Sequence, residues 1–321
     1  MLRLFQQRIL EKLNSEKTEI KLRGWDVKNR EVVVPSELSS KSISVGDLTA
    51  GYCPTYRDFY LSKVKKMRLP ETWDRYAGKA IHKLYKEIGA ETQTYLLKNR
   101  KELAKIDLLR YLRKSKSRIV NNLTEDMSST IEKLIDKPND QEVKKFVGTL
   151  ERIIEFEGEM ASAFCDYIIS SKIDVEIASE FSSLAPVHIQ ELSLNAPPLG
   201  LSKGVKPDFL IGENFIGDIK TGPPFEFHRL TVAAYALAYE YETKTPVDYG
   251  VVFHLQISVS KRVPLYSDTE FFVISDMYRR AVLDLRNKKL DILVNRRDPG
   301  DSKNVEECNN CPFHPSCREV Q

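Results

Sequence analysis

The chain has 321 residues, of which 41% are hydrophobic and 30% are charged. This composition is typical of a folded globular protein with a sizeable core, and it excludes a disordered chain. No apolar run approaches the roughly 18–20 residues that a membrane-spanning helix needs, so we expect no membrane partner. The N-terminal residues lack a signal-peptide pattern, and we therefore expect a cytoplasmic protein.

The basic residues are clustered although the net charge is only +3. The clusters lie in residues 63–68, 98–101 and 110–118. Such clusters are compatible with a groove for nucleic acid. They are also typical of solvated helix faces, and charge alone favours this second interpretation.

The first half of the chain has mainly helical patterns. Residues 2–13 predict an amphipathic helix that docks on the body of the protein, and EVVVPSEL (31–38) predicts a short strand running into a turn. A helix is expected to begin near Cys53–Pro54, and a longer one over the segment ETWDRYAGKAIHKLYKEIGAETQTYLL. The pattern then stays helical and charged over about 98–172, with a break near Lys137–Pro138. This block predicts an all-helical insertion.

The second half of the chain contains short runs of β-branched or aromatic residues. They read DVEIAS, VHIQELSL, PDFLI, NFIGDIK, DYGVVFHLQISVS and EFFVIS, and Gly, Pro and Asn separate them. Two helical patterns, FHRLTVAAYALAYEYET and DMYRRAVLDLRNKKLDILVN, interrupt and follow these runs. The predicted fold class is α/β, with helices packed on a mixed β-sheet and a helical lobe before it.

The segment KGVKPDFLIGENFIGDIKTGPP predicts a β-hairpin with its turn at residues 212–214. If the turn is centred on residue 213, Asp208 faces Asp218 across the two strands. Period-two alternation puts Lys220 on the same face as Asp218. Two carboxylates and an ammonium group are thus expected at one end of the hairpin, and a slip of one residue in register would separate them.

Such a cluster suits phosphodiester chemistry. Neighbouring carboxylates repel each other, and a hard divalent ion such as Mg²⁺ or Mn²⁺ relieves this repulsion. The ion can polarise a phosphodiester and activate a water molecule. Lys220 would orient or deprotonate that water, or stabilise charge developing on the phosphate. The alternative is a surface hairpin with an ordinary Asp–Lys ion pair.

Two further residues are candidates for the same site. His82 lies on a helix one turn after Gly78, whose missing side chain leaves room for a ligand. A lone helical histidine is nevertheless more often a surface or core residue. Tyr235 lies among alanines on the helix after the hairpin. It could stack on a base or contact a phosphate, or it could be a core tyrosine without a further function.

The C-terminal segment CNNCPFHPSC supplies three thiols, those of Cys308, Cys311 and Cys317. Five cysteines without a signal peptide argue against a disulfide framework, and metal or cluster binding needs a fourth ligand. In a zinc site the fourth ligand could be His314. A distant thiol is the other option: Cys165 lies on an apolar-faced helix where a buried thiol is inert by default, whereas Cys53 lies at a turn and is the better ligand.

Six features follow one another along the chain: a lone cysteine, a G-x₃-H helix, an Asp strand, a D-x-K strand, a tyrosine helix and C-x₂-C-x₅-C. This ordered set resembles the iron–sulfur RecB-like nucleases, most closely the CRISPR-associated Cas-four family and its Csa-one subgroup. The resemblance covers roughly residues 45–320. It implies a restriction-endonuclease-like PD-(D/E)XK core over residues 46–321, after an N-terminal extension of residues 1–45.

The resemblance also implies roles for individual residues. The metal, Mn²⁺ or Mg²⁺, would be held by His82, Asp208, Asp218 and the backbone carbonyl of Ile219. Lys220 would be the catalytic lysine, and Tyr235 would contact the substrate. An iron–sulfur cluster, [4Fe–4S] rather than [2Fe–2S], would be held in the C-terminal region 305–321 by Cys53, Cys308, Cys311 and Cys317, joining the two ends of the nuclease region.

The chain departs from the family pattern at two positions. Asp218 stands where the family more often has Glu, and Thr231 stands where a Gln usually precedes the tyrosine by four residues. The first change shifts the geometry of metal binding, and the second removes any role for a glutamine at the site. Glu191 is a further polar residue that could contribute.

Three functions follow from these observations. The first is a metal-dependent DNA exonuclease that acts on single-stranded ends or overhangs and prepares spacer precursors with CRISPR integrase proteins. The second is a catalytically weak iron–sulfur subunit that binds DNA or serves as a scaffold in the adaptation complex. The third is a zinc-binding structural protein with an incidental acidic hairpin, which the colour of purified protein would distinguish from the other two.

Overall fold

A computed structural model describes residues 2–99, 107–170, 192–211, 214–222, 224–256, 265–302, 308, 311 and 313–317. The described helices are α1 (Leu2–Glu16), α2 (Val45–Thr49), α3 (Arg57–Lys63), α4 (Trp73–Asn99), α5 (Leu108–Thr124), α6 (Met127–Ile131), α7 (Asp140–Ser170), α8 (Phe227–Thr243), α9 (Asp276–Asn295) and α10 (His314–Cys317). The described strands are β1 (Phe209–Ile211), β2 (Phe215–Lys220), β3 (Tyr249–Gln256) and β4 (Leu265–Val273).

The four strands form one mixed sheet in the order β1-β2-β3-β4. β1 and β2 are an antiparallel hairpin, α8 carries the chain from β2 to the parallel strand β3, and β4 returns antiparallel to β3. The predicted α/β class and the mixed sheet are thereby confirmed. The strand predicted over 174–179 lies outside the described residues. Of the strand predicted over 187–194 only the end is described, where Leu194 forms an isolated bridge with Val205.

Helices cover both faces of the sheet. Ile216 and Val252 point into a core that they share with α2, α3, α8 and α9. A second core with α4, α5 and α7 contains Val251, next to Val252, and Ile219, three residues after Ile216. Because successive side chains of a strand point to opposite faces, each of these strands contributes to both cores.

The helical lobe consists of α4 to α7. Ile81, Leu84 and Ile88 of α4 are buried, as their spacing predicted. The break predicted near Lys137–Pro138 lies between α6 and α7 and is confirmed. Among the described helices, none is long and apolar enough to cross a membrane.

The N-terminal helix α1 docks on the sheet, as predicted. Leu13 is buried, and Lys17 just after the helix pairs with Asp248 at 2.6 Å. Further along, Leu22 N–H donates to Asp276 at 2.9 Å. The contacts tie the N-terminal residues to the segment before β3 and to the start of α9.

The prediction of a strand over EVVVPSEL is wrong. These residues form a turn and a 3₁₀ helix (Ser36–Leu38), although Val32 and Val34 are buried like strand residues. The guanidinium of Arg286 donates to the carbonyl oxygens of Val32 at 2.5 Å and Glu31 at 3.2 Å. A side chain thus satisfies carbonyls that a neighbouring strand would otherwise bind.

The helix expected near Cys53–Pro54 begins later, at Arg57. Tyr56 at its start has a φ of 63°, in the left-handed region. This conformation is incompatible with a continuous right-handed helix from Cys53, so the chain turns before α3 begins.

Candidate active site

The hairpin β1–β2 has the register that was predicted. Phe209 pairs with Gly217, and Ile211 pairs with Phe215. Asp208 precedes β1 and Asp218 follows Gly217, so the two carboxylates lie at the open end of the hairpin. Gly217 permits this pairing because a side-chain carbon there would lie 2.1 Å from the Phe209 ring. Turn residues 212–213 lie outside the described part of the chain.

The structure brings the predicted polar residues together at this end. Oδ2 of Asp208 is 3.5 Å from Nδ1 of His82 and accepts the backbone N–H of Ile219 at 2.8 Å. Nζ of Lys220 is 2.6 Å from Oδ2 of Asp218. The contact between His82 and Asp208 joins the open end of the hairpin to α4, and the other two lie within the hairpin.

The approach of α4 depends on a small residue. A side-chain carbon at Gly78 would lie 3.0 Å from Oγ1 of Thr221, directly after β2. Glycine therefore lets the first turns of α4 pass close to the end of β2. This close packing places His82, one helical turn later, beside Asp208.

The two carboxyl groups have unequal proton affinities. Burial and the neighbouring charge of Asp208 raise the pKa of Asp218 to about 7. Burial acts to raise the pKa of Asp208 too, but hydrogen bonds from His82 and the backbone of Ile219 lower it. The pair therefore exchanges a proton near neutral pH even beside Lys220, and a bound divalent cation would displace that proton.

Tyr235 lies near the carboxylates, whereas Thr231 does not point toward them. Burial, followed by the charges of Asp218 and Asp208, raises the pKa of Tyr235 well above its usual value. The hydroxyl of Thr231 is buried and lies 2.8 Å from Oγ1 of Thr49 on α2. Thr231 thus joins two helices of the core.

Two histidines outside the predicted set of site residues lie beside Lys220; His228 shares one stripe of its helix with Tyr235 in the sequence pattern. His254 on β3 is the register partner of Lys220, and its ring centroid is 5.4 Å from that of His228. Burial, the charge of Lys220 and His254 lower the pKa of His228 to about 3, so its ring is neutral. No local pattern marks His254, because it meets Lys220 only through the pairing of β2 with β3. Glu191 lies outside the described residues.

The C-terminal thiols lie against the start of α3. Arg57 of α3 donates to the carbonyl oxygen of Cys317 at 3.2 Å and to its Sγ at 3.4 Å. Burial, with smaller contributions from Asp58, Cys53 and Cys317, raises the pKa of Cys311 to about 11. The backbone N–H of Cys311 donates to the carbonyl of Cys308 at 3.0 Å. The side chain of Cys165 lies outside the described residues.

The donor types at both places suit the groups that the sequence indicated. Two carboxylates and an imidazole are ligands for Mg²⁺ or Mn²⁺, and thiolates are ligands for an iron–sulfur cluster. The raised pKa of Asp218 marks a concentration of negative charge that a cation would relieve. In the part of the chain that the structure describes, however, no three His, Cys, Asp or Glu side chains are spaced to hold one metal ion together.

The basic cluster at 110–118 has structural partners. Its ion pairs join Arg113 to Glu159, Lys116 to Glu155 and Arg118 to Glu91, at 3.6, 2.9 and 2.8 Å. They connect α5 to α7 and α4. This part of the charge pattern thus matches the interpretation of solvated helix faces.

Comparison with known proteins gives a match along the whole chain. The model of the family described as "CRISPR-associated exonuclease Csa1" matches residues 1–320. A protein of that description from Thermoproteus tenax is 25% identical over 297 residues, which are 92% of this chain and 90% of the relative. Another, from Saccharolobus solfataricus, is 27% identical over 308 residues, which are 92% of this chain and 91% of the relative.

Proposed function

The chain belongs to the family of CRISPR-associated exonuclease Csa1, and we propose that it is a metal-dependent DNA exonuclease acting on single-stranded ends or overhangs. The grouping of His82, Asp208, Asp218 and Lys220 at the end of the hairpin carries this proposal. In the setting that the names of its relatives indicate, it would prepare spacer precursors together with CRISPR integrase proteins.

The topology supports a place among the RecB-like nucleases of the Cas-four type. An antiparallel hairpin carries the carboxylates, α8 follows it, and β3 lies parallel to β2. We propose that this arrangement is a PD-(D/E)XK core, with α4 to α7 as its helical lobe.

The metal would be held by His82, Asp208, Asp218 and the carbonyl of Ile219. When bound, a divalent ion supplies polarisation of the phosphodiester and activation of water. The backbone N–H of Ile219 and the ring of His82 orient Asp208 before any ligand arrives. Burial of Asp218, whose side chain is 3% exposed, keeps water from that carboxyl group.

Lys220 would act as a cation. Burial acts most strongly and lowers its pKa, but the charge and hydrogen bond of Asp218, with the charges of Asp208 and Tyr52, together raise the pKa above its usual value. A lysine that stays protonated cannot take a proton from water. It would therefore stabilise negative charge on the phosphate, and the protonated hydroxyl of Tyr235 would donate a hydrogen bond to the DNA.

We also propose a [4Fe–4S] cluster as a second resident group. Its ligands would be Cys53, Cys308, Cys311 and Cys317. The electrostatic influence of Cys53 on Cys311 and Cys317 supports this set, since Cys53 is distant from both in sequence. Arg57 would donate a hydrogen bond to a ligand sulfur of the loaded protein.

A specific observation also favours the second function, that of a DNA-binding or scaffold subunit with weak catalysis. Lys220 occupies an oxygen of Asp218, and Thr231 turns to Thr49 instead of the site. Both features would weaken metal binding relative to a fully formed site.

Nuclease activity of anaerobically purified protein separates the two functions. End-labelled single- and double-stranded DNA is incubated with Mn²⁺, Mg²⁺ or EDTA, beside the variant Asp218→Ala. We expect cleavage of single-stranded ends that needs the metal and disappears in the variant. Folded, coloured protein that binds DNA without cutting it would reject the exonuclease and favour the scaffold.

A further inference from the structure

An open groove lined by aromatic side chains lies beside the proposed catalytic residues. Its volume of about 640 Å³ falls within the range of about 300–1,000 Å³ that is typical of ligand sites. The walls include Tyr52, Phe225, Phe227, Leu230, Met277 and Tyr278. The chemistry proposed above uses none of these six side chains.

Three of the aromatic rings form one platform. The rings of Phe225 and Phe227 are parallel within 11°, with centroids 5.0 Å apart. Tyr52 sets its edge against both, at 6.0 and 5.4 Å. These rings are partly exposed, and Met277 on the rim is 64% exposed.

The platform adjoins Lys220. Tyr52 lies close enough to Lys220 to act on it electrostatically. His228 packs its ring edge-on against Phe225 and Phe227, at 5.6 and 4.8 Å, and also influences the site through its proximity to Lys220. The ring of His228 lies 5.4 Å from that of His254, the register partner of Lys220, so two histidines connect the platform to the end of β2.

The lining selects for an uncharged, planar ligand. Among the described residues that line the groove, Glu226 is the one charged side chain. A carboxylate repels phosphate, whereas stacked aromatic rings attract the flat faces of nucleobases. Duplex DNA keeps these faces stacked inside the helix, so an unpaired strand is the DNA that can present them.

We propose that this groove binds unpaired nucleobases of a DNA strand on the Tyr52–Phe225–Phe227 platform and leads that strand to Lys220. This proposal rests on the proposed function and deepens it. Stacking on the rings would supply affinity for the bases, while Lys220 and the metal site would act on the phosphates. The preference for single-stranded ends would then arise from the groove.

Binding to two matched strands tests the proposal. Full-length protein in EDTA, where cleavage cannot occur, is titrated into a labelled thymidine strand or an abasic strand of equal length, and fluorescence anisotropy gives Kd. We expect the strand with bases to bind roughly tenfold more tightly or better. Phe225→Leu, which keeps an apolar side chain but removes the ring, should lose most of this difference, and Phe225→Trp should keep it.

A second pair of variants guards against misfolding of Phe225→Leu. Met277→Ser alters the rim of the groove, and Ile135→Ser alters a residue of the helical lobe with similar exposure, 68%. We expect the first to weaken binding of the thymidine strand a few-fold and the second to leave it unchanged.

Equal affinity of the natural protein for both strands would overturn the proposal and favour an apolar segment of a partner protein as the occupant. Full discrimination in Phe225→Leu would also overturn it. Because binding is measured without metal, a protein that discriminates between the strands but never cuts DNA keeps the groove and loses the nuclease. Metal-dependent cleavage with equal affinities gives the opposite result.

Discussion

At Lys220, burial and ion pairing act in opposite directions. Burial is the largest single influence and lowers the pKa of the ammonium, but the charge and hydrogen bond of Asp218 at 2.6 Å, together with Asp208 and Tyr52, raise it overall. The neutral ring of His228 adds no competing positive charge nearby. The side chain is therefore a fixed cation at the end of β2, suited to a phosphate.

Replacing Lys220 by methionine should lower the cleavage rate by roughly 10²-fold or more, because a charge placed for the transition state is lost. Lys220→Arg should retain part of the activity, since it keeps the charge. The rates are measured with saturating DNA and Mn²⁺. Lys203→Met, in an exposed loop, is the control and should keep the natural rate. Equal rates for Lys220→Met and the control would exclude Lys220 from the chemistry.

Lys289 is a second buried cation, remote from the hairpin in sequence. Its Nζ donates to the carbonyl oxygens of Asp47 at 2.8 Å and Ala50 at 2.6 Å, and it faces the rings of Tyr56 and Phe59. Burial lowers its pKa to about 8. The side chain thus joins α9 to the C-terminal end of α2.

This pKa predicts a dependence of stability on pH. The folded value is about 8, and the unfolded value is about 10.4, so the unfolded chain binds more protons between them. The contribution of Lys289 is therefore fully present above about pH 10.4 and is lost as the pH falls through about 8. Over that window it should change the free energy of unfolding by roughly 3 kcal/mol.

The measurement is the thermal midpoint of the natural protein and of Lys289→Met at pH 8 and pH 10. The gap between the two should move in favour of the natural protein as the pH rises, because only that protein has the titrating group. Lys288→Met, at the exposed neighbouring position, should follow the natural protein at both values. A constant gap would show that Lys289 titrates normally.

Among the secondary-structure elements, α8, α9 and the segment after α1 are joined by one buried carboxylate. Glu240 of α8 is fully buried and accepts Nη1 of Arg279 at 2.7 Å and Nη1 of Arg23 at 2.7 Å. It also accepts the backbone N–H groups of Gly24 and Val247 at 2.9 and 3.1 Å. One side chain thereby satisfies donors from three parts of the chain.

Glu240→Gln should destabilise the protein by about 3 kcal/mol, because Arg279 would remain buried without its counter-charge. The thermal midpoint should fall by roughly 4–5 °C. Glu242→Gln makes the same change two residues later, at an exposed position that accepts the N–H of Asn195 at 2.8 Å, and should shift the midpoint little. Equal shifts in both variants would show that the buried charge is not required.

In the molecule as a whole, the C-terminal segment returns to the residues at the start of α3. Arg57 of α3 reaches Cys317 and pairs with Asp298 at 3.1 Å, and Thr55 donates to the carbonyl of Gly300 at 2.7 Å. Phe313 is buried and belongs to the core that α2, α3, α8 and α9 share. An iron–sulfur cluster at this place would cross-link the start of α3 to the C-terminal segment, two parts of the chain that are already in contact.

The expected ligand set predicts which cysteine variants of the protein still bind iron. Cys53→Ser should lose most of the bound iron and the visible absorbance, because one of four ligands is removed. Cys165→Ser should retain both. Iron per chain and the absorption spectrum of anaerobically purified protein are the measurements. Unchanged iron in Cys53→Ser would reject the cross-link, and colourless protein with bound zinc would favour a site that includes His314.

Features that depend on local sequence pattern could be predicted without the structure. The spans of α4, α8 and α9 follow from apolar periodicity, and the hairpin register follows from the position of its turn. Because a turn centred on one residue defines every pair on the two strands, it also placed Asp208, Asp218 and Lys220 at one end before any tertiary contact was known.

Contacts between side chains of different helices and strands could be read only from the three-dimensional structure. His254 reaches Lys220 through the β2–β3 pairing, and Thr231 turns to Thr49 through the packing of α8 on α2. Arg286, 254 positions away in sequence, donates to the carbonyl of Val32 the hydrogen bond that a neighbouring strand would otherwise supply. These contacts, like the aromatic groove, depend on long-range packing, and a pattern that repeats every two or four residues contains no information about partners so distant in sequence.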